Sequence, residues 1–112
     1  GINHYSFIIN IRNINILYMG DADFSNEKMF DLLKNCKINV MIAPFLIATH
    51  KAGKGFINKI NPYLLIINHL PNKKDDKYNY RTLTEKAIAR NLSHVPEAVV
   101  FQEFNDSLTF PF

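Results

Sequence analysis

The sequence predicts an α/β domain, a mixed β-sheet with helices laid against it. Short β-rich apolar runs alternate with stretches of helical i, i+3, i+4 spacing, the pattern of strands joined by helical crossovers. Three of the runs, residues 16–19, 38–43 and 64–67, are apolar throughout except at Asn39, as strands covered on both faces are. Two of them break off at metal-capable side chains, one at Gly20-Asp21-Ala22-Asp23 and the other at His69. A strand ending on a carboxylate or an imidazole holds that group rigidly, while the loop beyond leaves room for a substrate.

Residues 5–11 (YSFIINI) read as the first strand, and Arg12, Asn13 and Asn15 mark a tight turn into the second, so the two form a hairpin. Ser25 is a candidate N-cap, with Glu27 in the first turn where the helix dipole favours an acid. Met29, Phe30, Leu32, Leu33 and Cys36 then repeat at helical spacing, which predicts an amphipathic helix with Cys36 packed inside. Pro44 stops the third strand. Residues 45–54, with Thr49, His50 and Gly53, read as a loop; a short helix through Phe56, Ile57 and Ile60 follows, ended by Asn61-Pro62. Residues 63–67 are the fourth strand and 72–80 a polar loop. Thr82 and Glu85 form a capping-box pattern that opens a helix with Leu83, Ala87, Ile88 and Leu92. Val95-Pro96 closes that helix, 98–104 is the last clear strand, and 108–112 adds a short edge piece. In the resulting order β-β-α-β-α-β-α-β, Asp21, Pro44 and His69 all fall at strand C-terminal ends, where open α/β sheets place their sites.

Composition narrows the functional classes. A chain of 112 residues suffices for one domain with a modest core, and its 47% hydrophobic content, with nine Phe and five Tyr, is that of a globular sequence. The formal charge of +3 is small. Its one local cluster, Lys73, Lys74 and Lys77, is nearly neutralised by Asp75 and Asp76, so it reads as a solvated loop and no nucleic-acid partner is expected. No apolar run approaches the ~18 residues of a membrane span. No signal peptide is visible, and the single cysteine excludes an internal disulfide and suits a reducing compartment, so cytoplasmic placement is expected. The chain opens on Gly1 rather than Met, which reads as a processing scar with the true N-terminus upstream.

A carboxylate oxygen and a neutral imidazole nitrogen together suit zinc, manganese or iron. Read from the residues alone, Gly-Asp is a common turn pair and a strand-end histidine is commonly hydrogen-bonded within the fold. Two donors do not make a site.

Taken in order, the hairpin ending in GDAD, the helix, the strand NVMIAP, the next helix and the strand ending in INHLP resemble the C-terminal half of the metallo-β-lactamase fold. The likeness is to its metal-dependent hydrolase branch in particular, and it covers about residues 5–104. The resemblance implies one αβ half of a four-layer αββα sandwich, with the helices on one face of a mixed sheet. Residues 1–112 would then be a single domain whose N-terminal half is absent. The resemblance implies that Asp21, the Asp of the family's GD motif, bridges two metal ions and that His69 binds the second. A further family ligand, a His just before the hairpin strand, falls near His4, although NHYSF is looser than the family pattern. The family's H-x-H-x-D-H motif, which supplies most of the first metal site, is absent from this sequence. A site of two zinc ions would therefore be completed by residues from elsewhere, and this chain alone is expected to be inactive.

The activity implied is hydrolysis of a small-molecule substrate by water activated between two ions that Asp21 bridges. The substrate stays open, because the family includes lactonases, phosphodiesterases, β-lactamases and nucleases. Asp21 and His69 are expected on one sheet edge, after neighbouring strands. Asp23 reads as a helix cap or as an acceptor for a metal-binding group, His50 as a surface residue near Gly53 within reach of a substrate, and His94 as a helix-end residue. Phe45, Tyr78 and Tyr80 read as packing residues that could line a pocket. A half-sandwich would expose the inner face of its sheet, a patch above the few hundred Å2 that monomers tolerate. The expected cover is the missing half or a second copy, most simply in a dimer. The rival reading is a non-catalytic half-domain that oligomerises or binds a partner. A flavodoxin-like binding domain is the weaker alternative, since no Gly-rich phosphate loop follows the first strand.

Overall fold

Five strands form one mixed sheet in the order β1-β2-β3-β4-β5. They are β1 (Phe7–Ile11), β2 (Ile14–Tyr18), β3 (Val40–Pro44), β4 (Leu64–Asn68) and β5 (Glu97–Val100). The computed structural model describes residues 7–20, 31, 33, 35–68, 70–92 and 95–100. β1 and β2 are antiparallel, with Ile9 opposite Ile16 and Ile11 opposite Ile14, and β2 through β5 are parallel. The hairpin turn is Arg12–Asn13, both left-handed at φ 50° and 68°. Two positive φ values in succession are what a two-residue type I′ turn needs to match the strand twist. Asn15 therefore lies inside β2 rather than in the turn, and β2 starts two residues earlier than the apolar run suggests.

Three helices follow among the described residues: α1 (Leu46–Thr49), α2 (Lys51–Ile60) and α3 (Tyr80–Asn91), with a 3-10 turn at Lys73–Asp75. Asp31 and Leu33 are also helical, in the stretch where the sequence predicts a helix. Cys36 corrects the expectation of burial. It is exposed, because the chain has already turned there and its N–H donates to Leu33 O at 2.9 Å.

Strand order decides where the helices go. Each parallel strand is added on the same side of the previous one, and right-handed crossovers in a sheet growing one way lay every helix on one face. The main core agrees with this. Leu17, Met41, Ala43, Leu65 and Ile67 from one face of the sheet pack with Leu33, with Ile47 and Ala48 of α1, with Phe56 and Ile57 of α2, and with Ala87 and Ile88 of α3. The opposite face carries a smaller cluster in which Val40, Leu64 and Ile66 are buried and Ile14, Ile16 and Ile42 are half-buried. No helix residue joins it among the described residues.

Residues 46–49 and 51–54 are helical rather than loop, with a break at the extended His50: α1 begins two residues after Pro44, and α2 begins at Lys51 and runs through both Gly53 and Gly55. Gly53 explains why. It is buried, and a Cβ there would sit 2.6 Å from Ile47 Cα, so the missing side chain is what lets α2 close onto α1. Gly55 has open space around it. α2 ends at Asn61 in a left-handed conformation (φ 53°), its N–H bonded to Ile57 O.

α3 begins at Tyr80, before the predicted capping box. Asp76 does the capping: the backbone N–H groups of Tyr80 and Arg81 donate to its two carboxylate oxygens at 2.7 and 3.1 Å. A carboxylate there satisfies two orphan donors and meets the positive end of the helix dipole. β5 starts at Glu97, and the predicted strand beyond residue 100 and the edge piece at 108–112 lie outside the described residues.

Gly53→Ala should lower unfolding stability by about 1–3 kcal/mol through overpacking against backbone. Gly55→Ala, with nothing within 4 Å, should raise it by about 0.5–1 kcal/mol through helix propensity. Urea titration reads both, and changes of the same sign would contradict the α1–α2 contact. Asp76→Ala should cost about 0.5–2 kcal/mol. Amide exchange should accelerate first at Tyr80 and Arg81, and unchanged exchange there would remove Asp76 from the cap.

Candidate functional site

β2, β3 and β4 point the same way and end together. The ladder continues past Tyr18, with Met19 N–H donating to Ile42 O at 2.9 Å, and Pro44 at the end of β3 lies beside Asn68 at the end of β4. Pro44 has no N–H to offer, which favours ending the strand at that point. Gly20 follows at φ 56°, a left-handed conformation that glycine adopts without a Cβ penalty, and turns the chain out of β2. The chain thus leaves β2 toward Asp21 and β4 toward His69 from a single edge of the sheet.

β3 lies between the two departures, which corrects the expectation of neighbouring strands. Two strand spacings amount to about 9.6 Å. Asp21, Asp23, His69, His4 and His94 themselves lie outside the described residues. Among the described residues no three His, Cys, Asp or Glu side chains gather where they could hold an ion. In chemical type the predicted donors fit zinc, but two or three of them fall short of what two ions require.

A second feature lies on the helical side. α3 packs on α1, and the groove along their line of contact encloses about 420 Å3. Its floor is apolar and aromatic, from Leu46, Tyr80, Leu83 and Ala87. Its rim is polar and basic, from Thr49, His50, Lys54, Lys86 and Arg90. Tyr80, Leu83, Ala87 and Arg90 recur every three or four residues, so they form one stripe of α3, with Lys86 beside it. No carboxylate is among the described lining residues.

The aromatic residues singled out in the sequence meet at the upper end of this groove. Phe45, one residue beyond β3, packs on Tyr80 with ring centroids 4.8 Å apart and planes tilted by 45°, and Tyr78 packs on the same ring at 5.7 Å and 52°. Of the three, Tyr80 lines the groove. His50 is exposed, occupies the N-cap position of α2 and stands on the rim, so it is a surface residue within reach of a bound molecule.

Sequence reasoning did not find Lys54, Lys86 and Arg90, because scattered cations read as solvated. One signal was available: Lys86 and Arg90 are like charges at i, i+4, an unfavourable pair on a helix surface, although Arg90 in the last turn also meets the negative end of the helix dipole. Comparison with known proteins found no family model, no curated protein and no solved structure that matches this chain.

Proposed function

We propose that this chain is the C-terminal portion of a metal-dependent hydrolase with a metallo-β-lactamase-like fold, acting in the cytoplasm on a small-molecule substrate. The observation that carries the reading is the common edge at which β2 and β4 end, three residues before Asp21 and one before His69. A carboxylate, an imidazole and an ion between them can span the two strand spacings. In this reading Asp21 and His69 would hold the ions, His4 is a further candidate ligand, and the remaining ligands would be supplied from elsewhere. Bound zinc would supply a water of lowered pKa and polarise a carbonyl or phosphoryl oxygen. Phe45 and Tyr78, packed on Tyr80 beside the end of β3, would border the substrate space and limit its access to water.

The isolated chain should retain well under one zinc per chain after dialysis and show no hydrolase activity, since a catalytic zinc usually takes three protein ligands. Asp21→Ala and His69→Ala should each weaken zinc uptake, as read by equilibrium dialysis with elemental analysis. Two tightly held ions per chain, or uptake indifferent to both substitutions, would sink the ligand assignment.

One observation favours the second reading, a half-domain that pairs with another copy or with its missing half. Ile9 and Ile11 of the edge strand are 41% and 40% exposed and lie opposite Ile16 and Ile14, on the face that carries no helix among the described residues. The apolar row thus runs from Val40 to solvent. Under this reading the chain self-associates at micromolar concentration through that face, and Ile9→Lys with Ile11→Lys shifts it toward monomer. Sedimentation equilibrium measures this, and a monomeric wild-type chain at that concentration would contradict it.

A further inference from the structure

We propose that the groove between α1–α2 and α3 binds a small organic phosphate, with the phosphate held by Lys54, Lys86 and Arg90 and the organic part resting on Leu46, Leu83 and Tyr80. The proposal does not rest on the metal reading, and the groove lies on the helical side of the sheet.

Three features of the groove lead there. First, its cations come from different parts of the fold, Lys54 from α2 and Lys86 and Arg90 from α3, and packing makes all three line the same groove. The chain has 10 acidic residues, yet none of the described lining residues is one of them. Three positive charges exceed what one carboxylate neutralises and suffice for a dianion, which a guanidinium can also grip with two parallel hydrogen bonds.

Second, the floor is not the surface that inorganic phosphate needs. Leu46 and Leu83 are 39% and 48% exposed, and both open into this cavity beside the Tyr80 ring. A ligand with a planar or aliphatic body would cover them and gain from their burial, whereas bare phosphate would leave them wet. Third, the volume of about 420 Å3 falls within the range of pockets that hold small molecules. Charge at the rim, apolar floor and size therefore select the same class, a small molecule carrying both a phosphate and a ring or chain.

AMP supplies both parts, adenosine only the ring and inorganic phosphate only the anion. Each is titrated into the full chain in EDTA, with amide chemical shifts as the readout, so that any metal held at the strand edge contributes nothing. AMP should give saturable shifts at Lys54, Leu83, Lys86, Ala87 and Arg90, and should bind at least about tenfold more tightly than phosphate or adenosine. Lys86→Glu combined with Arg90→Glu should weaken AMP binding about tenfold or more while adenosine binding stays unchanged. Lys54→Gln on the opposite wall provides the same test should the double variant fold poorly. AMP binding no tighter than phosphate binding, shifts that map to another surface, or no saturation up to about 10 mM would each overturn the proposal. Zinc uptake indifferent to Asp21→Ala and His69→Ala, with AMP binding intact, would count against the hydrolase reading alone.

Discussion

Everything in this fold follows from four parallel strands added in one direction. A right-handed crossover can return to a neighbouring parallel strand only by passing over a set face of the sheet. When β3, β4 and β5 are each added on the same side, all the crossovers pass over the same face. Successive helices then become neighbours, which is why α3 lies against α1 and a groove forms between them. The same rule brings the C-terminal ends of β2, β3 and β4 to one edge and, among the described residues, leaves the other face of the sheet without helices. Groove, edge and uncovered face are three consequences of a single topological choice.

Register needs a different restraint, because both faces of this sheet are apolar. Where one face is polar, a one-residue slip is heavily penalised. Here a slip of β3 would exchange Met41 and Ala43 for Val40 and Ile42, and the helices would still meet hydrocarbon. Polar contacts at the N-terminal edge supply the discrimination. Asn15 N–H donates to the Asn39 side chain at 2.9 Å, Asn15 Nδ2 to Lys37 O at 2.8 Å, and Asn39 N–H to Asn15 O at 3.0 Å. Asn39 O then accepts from Tyr63 and Leu64, each at 3.0 Å, and Tyr63 O accepts from Glu97 at 3.1 Å. This chain of bonds crosses all four parallel strands at their starts and aligns Leu17, Met41, Leu65 and Ala98 in one row on the helical face. Two asparagines thus specify what the apolar pattern leaves undecided.

The element order was readable because continuous apolar runs and helical spacing differ in period, and that difference survives any packing. What escaped was tertiary in origin. Thr49, His50, Gly53 and Gly55 look like loop residues when judged by propensity, yet α2 needs Gly53 in order to touch Ile47, so packing overrides the cost of a helical glycine. The Thr82–Glu85 pair fits a capping box, but Asp76 captures the helix start two residues earlier because the Asn79 backbone turns left-handed (φ 56°). Cys36 follows the helical period of its neighbours, and periodicity does not show where a helix stops. The basic groove joins residues more than thirty positions apart, so no local pattern announces it. The strand ends behaved differently: Gly20 and Asn68 could be placed at one edge from the order of elements alone, and only the strand between them could not.

The two candidate sites are built around one contact. Phe45 is the first residue past β3, and its ring packs on Tyr80, the first residue of α3. Tyr80 also has its N–H on the Asp76 carboxylate, while Arg81 Nε donates to Pro71 O at 3.0 Å, so the start of α3 is held to the loop that leaves β4. The segment after His69 and the head of the groove therefore share their anchors. A molecule seated against Tyr80 would press on the same ring that borders the strand edge, and a displacement of α3 at its N-terminus would move both surroundings together. Such sharing has a plain physical origin: a crossover helix must start near the strand edge that precedes it, so in a sheet of this topology the space beside a helix start always lies next to the space beyond the strands.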